Sequence, residues 1–133
     1  MAMRVEIATG LIAELLALAA ADPDREVCGI LYGTPSGTDP RIDGYTVAAN
    51  VAADPTTAFE LDPAALFAAH RAARADGPAI VGCYHSHPRG PATPSARDIA
   101  GAEPGQFWLI LAGTDARLYH RDHDGDFGAC TTS

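Results

Sequence analysis

Apolar residues along this chain fall into two kinds of run, and their spacing separates helices from strands. Leu11, Leu15 and Leu18 recur at intervals of four and three residues, which predicts an amphipathic helix from about Thr9 to Ala20, ending before Asp22-Pro23. Leu66, Phe67 and His70 lie in a second helical stretch, with Asp62 suited to the N-cap and Pro63 to the first helical position, where its missing N–H costs nothing. Asp76-Gly77-Pro78 stops that helix near Ala75. The remaining runs read as strands: Met3 to Ile7, Val27 to Thr34, Ile42 to Ala49, Ala79 to Tyr84, Phe107 to Ala112, Arg117 to Arg121 and Asp126 to Cys130, with a brief pairing at Phe59-Glu60-Leu61. The turn-rich loop Pro35 to Pro40 joins the second and third runs into an antiparallel hairpin, and Asp124-Gly125 marks another. A third helix is expected after Thr93, read as its N-cap, with Pro94 as its first residue. The fold class that follows is α/β of α+β flavour, a mixed β-sheet flanked by helices.

At 133 residues and 47% apolar, the whole chain (1–133) is expected to form a single domain around one core. The formal charge of −8 argues against nucleic-acid or anionic-membrane partners, both of which it would repel. Glu6 and Glu14 interrupt the apolar N-terminal run, so neither a cleaved secretory signal nor a membrane span is expected, and the expected location is cytoplasmic. Three cysteines at wide spacing, without Cys-x-x-Cys, are expected to be reduced thiols and not a disulfide framework.

Chemistry concentrates between His85 and Asp98. The buried strand before it delivers His85 and His87, two apart and therefore on one face, the geometry of a paired imidazole ligand. Ser95 and Asp98 are three apart at the start of the following helix, so Asp98 can supply a carboxylate to the same point. Two imidazoles and one carboxylate make a three-ligand zinc site with the fourth tetrahedral position open. Cys83 falls on the same strand face, which leaves a Cys83-His85-His87 set as another possible donor triad.

His85-x-His87, seven residues, then Ser95-x-x-Asp98 resembles, position for position, the signature of the JAMM (MPN+, Mov34-like) metallopeptidases. Glu26-Val27-Cys28-Gly29-Ile30-Leu31 is similar to the segment that carries that family's upstream glutamate, and the likeness extends from about Val5 to Cys130. The resemblance implies a fold similar to that of the zinc deaminases and one zinc per chain on His85, His87 and Asp98. It also implies Glu26 as general acid–base and Ser95 as donor to the developing oxyanion. The implied activity is hydrolysis of a peptide or isopeptide bond, with a ubiquitin-like or sulfur-carrier protein as substrate, and the compact length resembles stand-alone prokaryotic members. One departure is Cys83, at a position often large and aromatic in related proteins.

Each of these residues also has a purely structural reading: solvated histidines, a carboxylate favouring a helix N-terminus, a surface serine. Both halves of the signature being filled favours the functional one. A nucleoside-type deaminase would need His-x-Glu and Pro-Cys-x-x-Cys, which are lacking; a metal-free MPN-type interaction scaffold would have lost ligands that are present here. His70 reads as a helix residue, and His120 and His123 match nothing in the motif. Asp122-x-Asp124-x-Asp126 lacks the glycine placement and closing glutamate of a calcium loop and reads as a hairpin tip, and Arg89 either meets a substrate carboxylate or is solvated.

Overall fold

A computed structural model of the chain describes residues 2–35 and 39–133. The elements are β1 (Arg4–Ile7), α1 (Leu11–Ala21), β2 (Cys28–Thr34), β3 (Arg41–Ala48), α2 (Pro63–Arg74), β4 (Ile80–Ser86), α3 (Ala96–Gly101), β5 (Phe107–Ala112), β6 (Asp115–Arg121), β7 (Phe127–Ala129) and β8 (Thr131–Thr132). Among the described residues they build a mixed sheet in the order β7-β6-β5-β4-β2-β3-β1-β8, with helices against it, as the apolar patterning predicts. The expected hairpin is present as the antiparallel β2–β3 pair, although Ser36, Gly37 and Thr38 of its connecting loop lie outside the described residues.

Strand register sorts the core onto two faces. Tyr84, Leu109 and Leu118 sit directly across from one another on β4, β5 and β6, and with Leu31, Phe107, Ile42 and Val5 they bury the Leu11 and Leu15 face of α1. The opposite face carries the row Ile30, Cys83, Trp108, Tyr119 and, beside it, the row Cys28, His85, Ile110. Residues of α2 and α3 border this second face. Gly29 lies opposite Tyr84, and a Cβ there would run into the Tyr84 ring and the Thr46 carbonyl, so only glycine lets the ring lie flat across β2.

Three boundaries differ from the sequence-based expectation for identifiable reasons. Helix α1 begins at Leu11, not Thr9, because Gly10 adopts a left-handed φ of 85° ahead of it. Helix α3 is capped by Ser95, not Thr93: the Ser95 hydroxyl accepts the Asp98 N–H at 3.0 Å while the Asp98 carboxylate accepts the Ser95 N–H at 2.9 Å. A cap at Thr93 would have placed Ala96 third in the helix, with no side chain to reciprocate. The stretch expected to end as one strand near Cys130 instead divides, β7 pairing with β6 and β8 with β1, the switch falling at Cys130. No helix of the described residues is long and apolar enough to cross a membrane.

Candidate metal centre

The parallel pair β4–β5 is connected through α3, and the candidate residues gather where β4 ends and α3 begins. His85 is the penultimate residue of β4 and is fully buried, while His87 follows the strand and is half-buried. Their Nε2 atoms lie 3.0 Å apart, and each is 3.2 Å from the same oxygen, Oδ2 of Asp98. The Glu26 carboxylate completes a group with the two imidazoles in which donor atoms lie within 4.8 Å of one another.

The triangle fits a cation better than it fits protons. A neutral imidazole brings at most one hydrogen to its Nε2, so three mutual contacts of this length cannot all be hydrogen bonds. Tetrahedral zinc with ligand bonds near 2.0–2.1 Å separates its ligand atoms by roughly 3.3 Å, close to the edges seen. Asp98 is thus the carboxylate at ligand spacing, and Glu26 stands at the edge of the cluster. Cys83, the other candidate donor, packs instead with Ala102, Trp108 and Phe59.

The two histidines are oriented by different forces. His87 Nδ1 donates to the Pro91 carbonyl at 2.9 Å, which leaves its Nε2 with a free lone pair. His85 Nδ1 is buried without a partner, and its ring is held by packing: Phe59 stacks on it at 4.3 Å between centroids and Trp108 meets it edge-on at 5.5 Å. Burial lowers the His85 pKa, with Asp98 working against it, which favours the neutral imidazole. At His87 the Asp98 carboxylate facing Nε2 outweighs burial and raises the pKa. Burial alone would lift Asp98, but the two imidazoles at its carboxylate prevail and hold its carboxyl well below the usual carboxylate range.

Glu26 is 7% exposed, and burial pushes its carboxyl from 4.5 up to about 7, with His87 pulling it down and Asp98 pushing it up. Its backbone is fixed on both sides. The Glu26 N–H donates to the Pro55 carbonyl at 2.7 Å, and the neighbouring Val27 N–H donates to the buried hydroxyl of Ser86 at 2.8 Å. Ser86, between the two histidines, therefore ties the strand that bears them to the segment that bears Glu26. Its polar side chain in a buried run was the available signal, and sequence reasoning passed over it. Ser95 is exposed, and because its oxygen accepts the Asp98 N–H, its own proton is left free to donate.

Two cavities meet at this cluster, both lined by Glu26, Thr57 and Ser95. One, of about 580 Å³, is proline-rich, bordered by His87, Arg89 and Pro91. The other, of about 480 Å³, is bordered by Phe59, Leu61, Leu66, Cys83 and Trp108, with the exposed His70 at its rim. His120 packs on Phe107, and Asp122 accepts the N–H groups of Asp124 and Asp126 in the expected hairpin tip, so neither belongs to the cluster.

Residues 8–123 match the family model described as prokaryotic homologs of the JAB domain. The chain belongs to that family. As a JAB homolog it is 40% identical over 114 residues to the desampylase of Haloferax volcanii, covering 81% of this chain and 76% of that protein. It is also 44% identical over 69 residues to a probable TtuB-protein conjugate cleaving protease of Thermus thermophilus, covering 50% of this chain and 44% of that one. A solution structure of a Desulfitobacterium hafniense protein superposes with a TM-score of 0.77 at 28% identity, over 97% of this chain and 92% of the other. A JAB1/MPN domain protein from Archaeoglobus fulgidus shares the fold at a TM-score of 0.60 and 18% identity, over 99% and 98% of the two chains.

Proposed function

We propose that this JAB homolog is a cytoplasmic zinc metallopeptidase whose residues 1–133 act as one unit. It hydrolyses the peptide or isopeptide bond that follows the C-terminal tail of a ubiquitin-like or sulfur-carrier protein. The observation that carries the reading is the triangle of His85, His87 and Asp98 donor atoms at 3.0–3.2 Å, with a buried carboxyl beside it and cavities on either side. A scissile bond needs substrate on both sides, and a relative that acts on conjugates, by its name, has the same need.

His85, His87 and Asp98 hold one zinc per chain. When bound, zinc supplies Lewis acidity, lowering the pKa of water from 15.7 to about 7 and polarising a carbonyl. Glu26, with a carboxyl near 7, takes the proton of the attacking water and passes it to the leaving amine. The free hydroxyl proton of Ser95 points its hydrogen bond at the carbonyl oxygen as charge develops there, a contribution of about 3 kcal/mol at the transition state. The half-buried Phe59, stacked on the fully buried His85, keeps water from the back of the first imidazole.

The test is mass spectrometry of a ubiquitin-like carrier extended past its terminal Gly-Gly, or joined there to a lysine side chain, incubated with the zinc-loaded protein with and without chelator. Release of the free carrier, abolished by chelator, is expected together with about one zinc per chain. An unchanged substrate with fully loaded protein refutes the reading, and absence of bound zinc after non-chelating purification and reloading favours a metal-free scaffold.

A further inference from the structure

Between β3 and α2 the chain makes a loop that returns on itself, Val51 N–H donating to the Glu60 carbonyl and Asp62 N–H to the Ala49 carbonyl. At its root sits Asn50. The side-chain Nδ2 donates to the Glu26 carbonyl at 2.9 Å and to the Ala58 carbonyl at 3.0 Å. The Oδ1 accepts the Ala52 N–H at 3.0 Å and the Glu60 N–H at 3.0 Å. All four capacities of the amide are used, and every partner is a backbone group of fixed polarity, so the amide has one workable orientation.

These four bonds join two parts of the site that are far apart in sequence. One is the backbone of Glu26. The other is the segment 58–60, whose Phe59 stacks on His85 at 4.3 Å and meets Trp108 at 5.5 Å between centroids. His85 has no hydrogen bond at its Nδ1, so the Phe59 ring is one of the few restraints on that imidazole. We propose that Asn50 is a positioning residue, a single amide that holds the backbone of Glu26 and the Phe59 segment in one frame so that the carboxylate and the His85 ring keep a fixed separation. The proposal rests on the peptidase reading given above, and on Glu26 as its base.

Asn50→Asp divides the amide's two halves. The carboxylate still accepts from Ala52 and Glu60, which preserves the local turn, but it sets an oxygen against the carbonyls of Glu26 and Ala58 where a donor stood. Displacement of a catalytic group by about 1 Å costs on the order of 10²-fold in rate, and kcat is expected to fall by that order with zinc content unchanged. Trp108, the one tryptophan in the sequence, is 5% exposed and touches Phe59, so its emission reports on the segment independently of turnover. In the metal-free Asp variant that emission is expected to shift to the red as water reaches the indole.

A residue that served stability alone would lower the melting temperature yet, well below it, leave both kcat and Trp108 emission at wild-type values, and that result overturns the proposal. Should the Asp variant fail to fold, Phe59→Leu leaves all four amide bonds and removes the stacked ring. It is expected to lower kcat with zinc retained, and wild-type kcat in that variant overturns the proposal equally. If the wild-type protein itself releases no carrier, it is the peptidase reading that has failed; if it does and both variants match it, only the role of Asn50 is lost.

Discussion

Replacing Glu26 with glutamine in the metal-free protein is expected to make it more stable, by an amount that depends on pH in a calculable way. Burial lifts the carboxyl from 4.5 in the unfolded chain to about 7 in the folded one. Because the folded value is the higher, the stability linked to this proton is fully present below the unfolded value and is lost as pH rises through about 7. Each unit of difference is 1.36 kcal/mol, so the wild-type protein carries a penalty of about 3 kcal/mol once the group is ionised in both states. Near pH 5 the same linkage gives only about 1 kcal/mol, since the unfolded chain has then only begun to gain from its lower value. Solvent screening takes little from this, as Glu26 is 7% exposed.

Glutamine keeps the shape of the side chain and cannot ionise. Whatever its amide gains or loses in hydrogen bonds is nearly the same at every pH, so the change in the gap between the two proteins isolates the charge. Urea unfolding of both, in chelator, from about pH 5 to about pH 8 should show the gap widening by roughly 2 kcal/mol in favour of glutamine. Groups away from the site titrate alike in both proteins and cancel. Parallel stability curves would refute the claim that burial of this carboxyl sets its proton affinity. Adding zinc to both should narrow the gap, because a cation beside the carboxylate favours its ionised form.

With zinc loaded, the same Glu26→Gln variant should retain the metal and lose nearly all turnover, read by the carrier-release assay. Asp98→Ala should lose zinc and activity together, measured by metal analysis after dialysis; it also removes half of the Ser95–Asp98 cap and so about 1 kcal/mol of α3 stability. Ser95→Ala should keep zinc while kcat falls on the order of 10²- to 10³-fold at little change in KM, the signature of a contact made in the transition state. Ser86→Ala leaves the Val27 N–H without its 2.8 Å acceptor and should cost roughly 1–3 kcal/mol in urea unfolding. Gly29→Ala, whose methyl meets the Tyr84 ring and the Thr46 carbonyl, should cost roughly 1–3 kcal/mol by the same measurement.

The residues that the structure gathers at His85, His87 and Asp98 were readable in the chain because each rests on a local rule. His85 and His87 share a strand face by period two, and Asp98 follows at the start of a short helix. The Ser95-x-x-Asp98 spacing was equally visible, but it is a reciprocal cap as well as a helix-face pair, and the competing Thr93-Pro94 signal hid that. What stayed out of reach depends on contacts between distant positions. Asn50 is one polar residue in a polar stretch until its partners at Glu26 and Ala58 are in place. Phe59 reads as part of a short strand and gives no hint that it covers His85. The division of residues 127–132 between β6 and β1 joins the chain's two ends, a pairing that no local pattern encodes.

That division has a bearing on how the protein behaves at high concentration. An open sheet margin is a template on which another polypeptide can add itself, and long flat margins invite this most. Here β6 and β1 would have been those margins, and one continuous stretch pairs with the second half of β6 and then, past Cys130, with β1. The strands that cover them are only three and two residues long. A few residues thus act as a selvedge, binding off the fabric at both sides and leaving little for a neighbouring molecule to knit onto.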